Sequence, residues 1–215
     1  MKSDIKLDVY LVTDRELSRG RSIDEIVTAA VKGGATIVQL REKFASTRDF
    51  IQTAERLKMI LKPYNVPLII NDRVDVALAV DADGVHIGQD DMPYDIARRL
   101  LGPHKIIGLS VESIRDARDA EALDVDYLGV SPIYFTPTKT DLKRQLGLAG
   151  LHKIRSFSRH RLVAIGGLNV SNAAEAIQSG ADGVAVVSAI CSADNPQAAA
   201  SELATIVKKI KQVMP

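Results

Sequence analysis

The sequence predicts a single (β/α)8 TIM barrel, an α/β fold built as one domain over residues 1–215. Three observations carry that expectation. Short apolar runs alternate along the chain with stretches of helical period, eight times over, which calls for a parallel sheet covered by helices. At 215 residues, eight such units suit a compact barrel. No Pro/Gly/Ser-rich linker and no shift in composition divides the chain. The competing open, doubly wound sheet would need a glycine-rich phosphate loop after its first strand. Here that strand ends in Val12-Thr13-Asp14-Arg15, which contains no glycine.

The elements follow in order. A strand is predicted over Val9–Thr13, and Ser22 is the N-cap of a helix over Ile23–Lys32. The second strand is Thr36–Leu40, and Ser46 or Thr47 caps a helix that stops at Lys62 because Pro63 follows. Leu68–Ile70 and Gly84–Ile87 are the next strands, with a helix over Val74–Val80 between them and one over Pro93–Leu101 after. Ile106–Leu109, Tyr127–Val130, Leu162–Ile165 and Val184–Val187 complete the strands. Helices over Ser113–Leu123, Gly150–Phe157, Ser171–Gln178 and Asn195–Lys211 follow them. A weak repeat supports the plan: Gly33-Gly34-Ala35, Ala82-Asp83-Gly84 and Gly180-Ala181-Asp182-Gly183 all stand where a helix hands over to a strand. Glycine there can end a helix in the left-handed conformation, so these phrases are read as scaffold.

Composition limits the partners. Lys plus Arg number 28 and Asp plus Glu 27, a formal net charge of +1, which argues against bulk binding of nucleic acid or an anionic membrane. No apolar stretch is long enough to span a bilayer, and the start, Met1-Lys2-Ser3-Asp4, leads into no secretory h-region. Cys191 is the only cysteine, which excludes an internal disulfide and a cysteine-cluster metal site and fits a reducing cytoplasm.

In a barrel the carboxyl ends of all strands converge on one face, so the strand ends form a list of site residues. In Gln39-Leu40-Arg41-Glu42-Lys43, residues 39, 41 and 43 alternate and point one way, with Leu40 and Glu42 opposite. An amide, a guanidinium and an ammonium on the barrel mouth suit an anionic ligand. Asn71-Asp72 ends the third strand and His86-Ile87-Gly88-Gln89-Asp90-Asp91 the fourth. Paired carboxylates with no His/Cys ligand set point to Mg²⁺, which takes oxygen ligands and shares them with substrate phosphates. Asp72 also reads as an N-cap for the helix after it, and Asp90 or Asp91 as the start of the helix at Pro93. Residue chemistry leaves Asp90 and Asp91 equal. Ser110 ends the fifth strand, and the phrase Gly129 to Asp141 ends the sixth with Thr136, Thr138 and Lys139. Gly166-Gly167 and Val187-Ser188 end the last two, in the manner of a barrel phosphate site. His86 reads as a packed, hydrogen-bonded residue, and Cys191 as a core residue. Two anion sites on one face suggest two phosphorylated substrates that are joined, or one bis-phosphorylated substrate.

These phrases, in order from Tyr10-Leu11-Val12-Thr13-Asp14 to Val187-Ser188-Ala189-Ile190, closely resemble the thiamine-phosphate synthase (thiamine-phosphate pyrophosphorylase) family over almost the whole chain. The resemblance implies a (β/α)8 transferase of thiamine biosynthesis. It joins 4-amino-5-hydroxymethyl-2-methylpyrimidine diphosphate to 4-methyl-5-(2-hydroxyethyl)thiazole phosphate, or a carboxylated thiazole phosphate, and releases diphosphate. Carried over by motif, Gln39, Arg41, Lys43, Asn71, Ser110 and Lys139 would hold the pyrimidine diphosphate. Arg41, Lys43, Ser110 and Lys139 would be the catalytic set among them. Asp72 and Asp91 would hold Mg²⁺, which picks Asp91 over Asp90. Thr136, Thr138, Gly167, Val187 and Ser188 would receive the thiazole phosphate. The resemblance also implies a homodimer. The chain departs from many members at Ser131, where they carry glycine.

Two other readings compete. A sister group with the same barrel isomerises the thiazole, but carries a catalytic His just after the fifth strand, where this chain reads Ser110-Val111-Glu112. A non-catalytic sensor of thiamine phosphates would need neither a carboxylate pair nor Lys139.

Overall fold

The computed structural model describes residues 5–135 and 146–214. Runs of Val, Ile and Leu become largely buried strands, as a parallel sheet covered on both faces requires. They are β1 Val9–Val12, β2 Ile37–Leu40, β3 Leu68–Asn71, β4 Gly84–Ile87, β5 Ile106–Val111, β6 Tyr127–Val130, β7 Arg161–Ile165 and β8 Gly183–Val186. All pair in parallel in chain order, and β1 pairs with β8 to close the barrel. The predicted fold class therefore stands, and every predicted strand is present within a residue or two.

The helices are α1 Ile23–Lys32, α2 Thr47–Leu61, α3 Val74–Ala79, α4 Tyr94–Leu101, α5 Ile114–Ala120, α6 Gly147–Arg155, α7 Ala173–Gln178, α8 Ser188–Cys191 and α9 Pro196–Val213. Ser22 caps α1 through a full capping box with Glu25, and Ser46 caps α2. Ser113 and Asn195 are caps of α5 and α9 rather than their first residues. The helix predicted from Gly150 begins three residues earlier, at Gly147. Helix α8 was not foreseen, because four residues are too few to show a period. No helix among the described residues is long and apolar enough to cross a membrane.

Two apolar layers hold the barrel. Outward-facing residues such as Leu11, Val38 and Ile70 pack beneath the helices. Alternate residues of the same strands, including Tyr10, Ile37, Ile69 and Val163, fill the interior with Ile5 and Leu7. The backbone carbonyl of Ile5 accepts from Arg161, and the Asp8 carbonyl from the Val184 N–H, which ties the N-terminal segment to the barrel.

The bottom face, at the strands' amino ends, shows a recurrent cap. Asp83, Asp126 and Asp182, each just before the start of an even-numbered strand, accept from the N–H of the first or second residue of the odd-numbered neighbour. The distances are 2.8 Å from Leu68, 2.8 Å from Ile107 and 2.7 Å from Leu162. Thr36 does the same for Val9 at 3.2 Å. The handover phrases are scaffold, as predicted, but their glycines differ in reason. Gly180 has a positive φ of 103°, whereas Gly183 is a close-approach residue: a Cβ there would lie 1.7 Å from the Leu7 carbonyl oxygen.

Candidate active site

The opposite end of the barrel opens into a cavity of about 780 Å³. Gln39, Arg41, Lys43, Asn71, Asp72, Asp91, Ser110, Gly167, Val187 and Ser188 all line it. Thr136, Thr138 and Lys139 lie outside the described residues.

Strand β2 ends at Leu40, so regular alternation does not continue to residue 43. Arg41 and Lys43 nevertheless reach the cavity, and Glu42 turns away to pair with Arg15 at 2.5 Å. Two contacts fix Arg41. Its N–H donates to Thr13 Oγ1 at 3.1 Å, and its guanidinium donates to Asp14 Oδ2 at 2.9 Å. Asp14 also accepts from the Glu16 and Leu17 N–H groups, so this carboxylate is itself held. Sequence reasoning gave Asp14 no role; the signal was its place in the first strand-end phrase.

Asp72 follows β3 with a positive φ of 61°, a conformation that Asp and Asn tolerate better than most residues. No side chain caps α3, so the helix-cap reading of Asp72 is set aside. Nor does Asp90 or Asp91 cap α4, whose N-cap is Pro93. Instead Asp91 turns back to the end of β4 and accepts from the Gly88 N–H at 2.7 Å. Burial first, then the hydrogen bond and charge of Asp91, push the Asp72 carboxyl up to about 7, against the attraction of Arg41. Two carboxylates this close, one of them raised by the other, fit a divalent cation between them. Among the described residues no group of three or more His, Cys, Asp or Glu gathers. A pair alone suits Mg²⁺, which keeps waters and takes oxygens from substrate phosphates.

Across the cavity, β7 is followed by Gly166 and Gly167, both at positive φ, 102° and 66°. A Cβ on Gly167 would meet the Phe135 carbonyl oxygen at 2.7 Å and Tyr134 Cβ at 2.8 Å. These glycines are therefore required by the loop after β6, in addition to any approach of a ligand. The Tyr134 N–H donates to the Gly166 carbonyl at 3.0 Å and its hydroxyl to Glu175 at 2.5 Å, which anchors the start of that loop. Val187 and Ser188 lead into α8, whose first amides precede its hydrogen-bonded turn.

Among the other residues of the cavity wall, three hydrogen-bonded ones have no site role in the sequence reading. Tyr10, His86 and Tyr127 form hydrogen bonds between Gln39 and Ser110. The reading of His86 as hydrogen-bonded was sound, but its ring is part of the cavity wall. The sequence gave no signal for Tyr10 or Tyr127 beyond a polar atom in an apolar run. Cys191 is buried against the helices, as expected, and burial pushes its thiol up to about 11.

Basic groups set beside a carboxylate pair, at the mouth of a parallel barrel, suit a (β/α)8 enzyme that handles phosphates. Residues 9–190 match the family model described as thiamine monophosphate synthase, and the chain belongs to that family. It is 53% identical over 204 residues to the thiamine-phosphate synthase of Albidiferax ferrireducens, covering 95% of this chain and 93% of that one. It is 48% identical over 203 residues to that of Clostridium novyi, covering 94% and 100%. Among solved structures it resembles a thiamine phosphate pyrophosphorylase from Pyrococcus furiosus, with a TM-score of 0.89 at 42% identity, over 96% of this chain and 98% of that one.

Proposed function

We propose that this chain is a thiamine-phosphate synthase that joins the pyrimidine diphosphate to the thiazole phosphate at the barrel mouth. The observation that carries the reading is the meeting of Asp72, Asp91, Arg41 and Lys43 in one cavity that also holds Gly167, Val187 and Ser188. That arrangement supports one site for a diphosphate and one for a phosphate on a single face.

Asp72 and Asp91 would hold Mg²⁺, which supplies charge neutralisation of the diphosphate when bound. Arg41, already oriented by Asp14, and Lys43 at the exposed rim meet the charge that grows on the departing oxygen. Lys139 adds to them on the family resemblance. In the reaction the bond from the pyrimidine methylene carbon to the diphosphate oxygen breaks, and its electron pair leaves with diphosphate. The aminopyrimidine ring stabilises the resulting cation, and the lone pair of the thiazole nitrogen forms the new C–N bond. Gln39, Asn71 and Ser110 hold the pyrimidine portion. Thr136, Thr138, Gly167, Val187 and Ser188 hold the thiazole phosphate, so that the nitrogen is in place before the cation forms. No protein nucleophile is needed. We further propose a one-domain, cytoplasmic homodimer, on the family resemblance and the single cysteine.

The test is the reaction. Purified protein with both substrates and Mg²⁺ is expected to yield thiamine phosphate and free diphosphate, and EDTA to stop it. Thiazole isomerisation that persists in EDTA, with no coupled product in Mg²⁺, would indicate the tautomerase. Tight binding with no turnover would indicate the sensor.

A further inference from the structure

A line of buried and half-buried polar groups crosses the barrel between two residues of the proposed pyrimidine site. Gln39 Nε2 donates to the Tyr10 hydroxyl at 2.8 Å. The Tyr10 and Tyr127 hydroxyls are 2.7 Å apart, Tyr127 and His86 Nδ1 3.0 Å, and His86 Nε2 and Ser110 Oγ 2.8 Å. Both tyrosines are fully buried. Burial holds both phenols protonated well past the ordinary tyrosine range, so each supplies one hydrogen at any working pH.

One order of donors satisfies the line. Among the described residues the Tyr10 hydroxyl has two side-chain partners, Gln39 and Tyr127. It accepts from Gln39, so its hydrogen goes to Tyr127. Tyr127 then donates to His86 Nδ1, which makes the imidazole neutral with its hydrogen on Nε2. That nitrogen donates to Ser110 Oγ, and the serine hydrogen is left to point onward. The opposite order would strand the Tyr10 hydrogen in the core, a costly outcome for a buried donor.

The packing around the line is shaped for it. A Cβ on Gly108 would lie 2.1 Å from Tyr127 Cζ and 2.6 Å from His86 Nδ1, and one on Gly129 would lie 3.0 Å from His86 Cε1. Glycine in a strand interior weakens the strand, and here it makes room for the two rings. Ile37, Ile69 and Val163 fill comparable interior positions with hydrocarbon, so stability alone does not call for two phenols and an imidazole.

We propose that Tyr10, Tyr127 and His86 are positioning residues, whose hydrogen bonds set the Ser110 hydroxyl as a donor into the cavity and fix the Gln39 amide. The wall then presents a hydrogen-bond donor and an amide of set orientation to a flat, amino-substituted heteroaromatic ring. The inference rests on the function proposed above and adds how that site selects its ring.

Two measurements test it. Tyr127→Phe is expected to raise KM for the pyrimidine diphosphate about 10-fold, the scale of one hydrogen bond lost from an ordered site. KM for the thiazole phosphate should not move. In a Ser110→Ala background, Tyr127→Phe should add less than about 2-fold, since the two act through one chain of bonds. Independent, multiplying losses would overturn the proposal, as would equal effects on both substrates. The second measurement is ¹⁵N NMR of the imidazole in unliganded wild type, which tests the line whether or not the protein turns over substrate. A neutral Nε2–H tautomer of His86 that changes in Tyr127→Phe is expected. An Nδ1–H tautomer, or no response to the substitution, would overturn it.

Discussion

Asp72 carries opposing demands in one side chain. Burial and Asp91 push its carboxyl up to about 7. An unfolded chain releases that proton near about pH 4. Between these values the folded state binds more protons, so this contribution to stability is complete below about pH 4 and is lost as pH rises through about 7. Asp72→Asn keeps the left-handed backbone that asparagine tolerates and removes the charge. In EDTA, the melting temperature of the variant relative to wild type is therefore expected to rise between about pH 5 and about pH 8. Mg²⁺ should narrow that gap by stabilising wild type alone. A gap that does not vary with pH would count against the electrostatic reading of the pair. At this scale much of the site was legible, because strand-end polar residues in a barrel share one face. Asp14 and Tyr127 were not legible. Asp14 acts through Arg41, and Tyr127 touches His86 from a neighbouring part of the barrel, and neither relation has a fixed spacing in sequence.

Among the elements, the bottom face works by a different rule. Asp126 accepts from the buried Ile107 N–H at 2.8 Å and from Arg98 at 3.4 Å, while Arg98 also donates to the Gly102 and Lys105 carbonyls. Asp126→Ala strands that N–H, an effect of about 1–3 kcal/mol. For a chain of this size the melting temperature should fall by about 2–12 °C. The kcat well below that temperature should be unchanged, because the cap is at the far end of the barrel from the cavity. A lost kcat at full folding would contradict the division of labour between the faces. Helix starts were legible where a serine offered a cap, as at Ser22 and Ser46. Helix α8 was not, and the start of α6 was missed because Leu146 is no sequence-visible cap. Asp83 and Asp182 read only as part of a glycine repeat and Asp126 not at all, since their partners are on neighbouring strands.

In the whole molecule, the closed barrel converts eight separate strand ends into one cavity, with the two proposed anion sites toward opposite sides. That geometry makes a specific demand on the second substrate. The unphosphorylated thiazole alcohol is expected to lose at least about 10²-fold in kcat/KM, since it forfeits the anchor that orients its nitrogen. Comparable rates for alcohol and phosphate would leave Gly167 and Ser188 without their proposed role. The fold was legible as a whole because burial on both faces of a parallel sheet writes near-continuous apolar runs, and because no glycine-rich loop follows β1.

The most direct measurement is thiamine phosphate formation by wild type, Asp72→Ala, Asp91→Ala and Asp90→Ala, followed against Mg²⁺ concentration with diphosphate counted alongside. Wild type is expected to form the two products in equal amounts and only with Mg²⁺. Asp72→Ala and Asp91→Ala should each lose at least about 10²-fold, only partly restored by excess Mg²⁺, and Asp90→Ala should lose far less. Absence of coupled product in wild type, or equal losses at Asp90 and Asp91, would contradict the account.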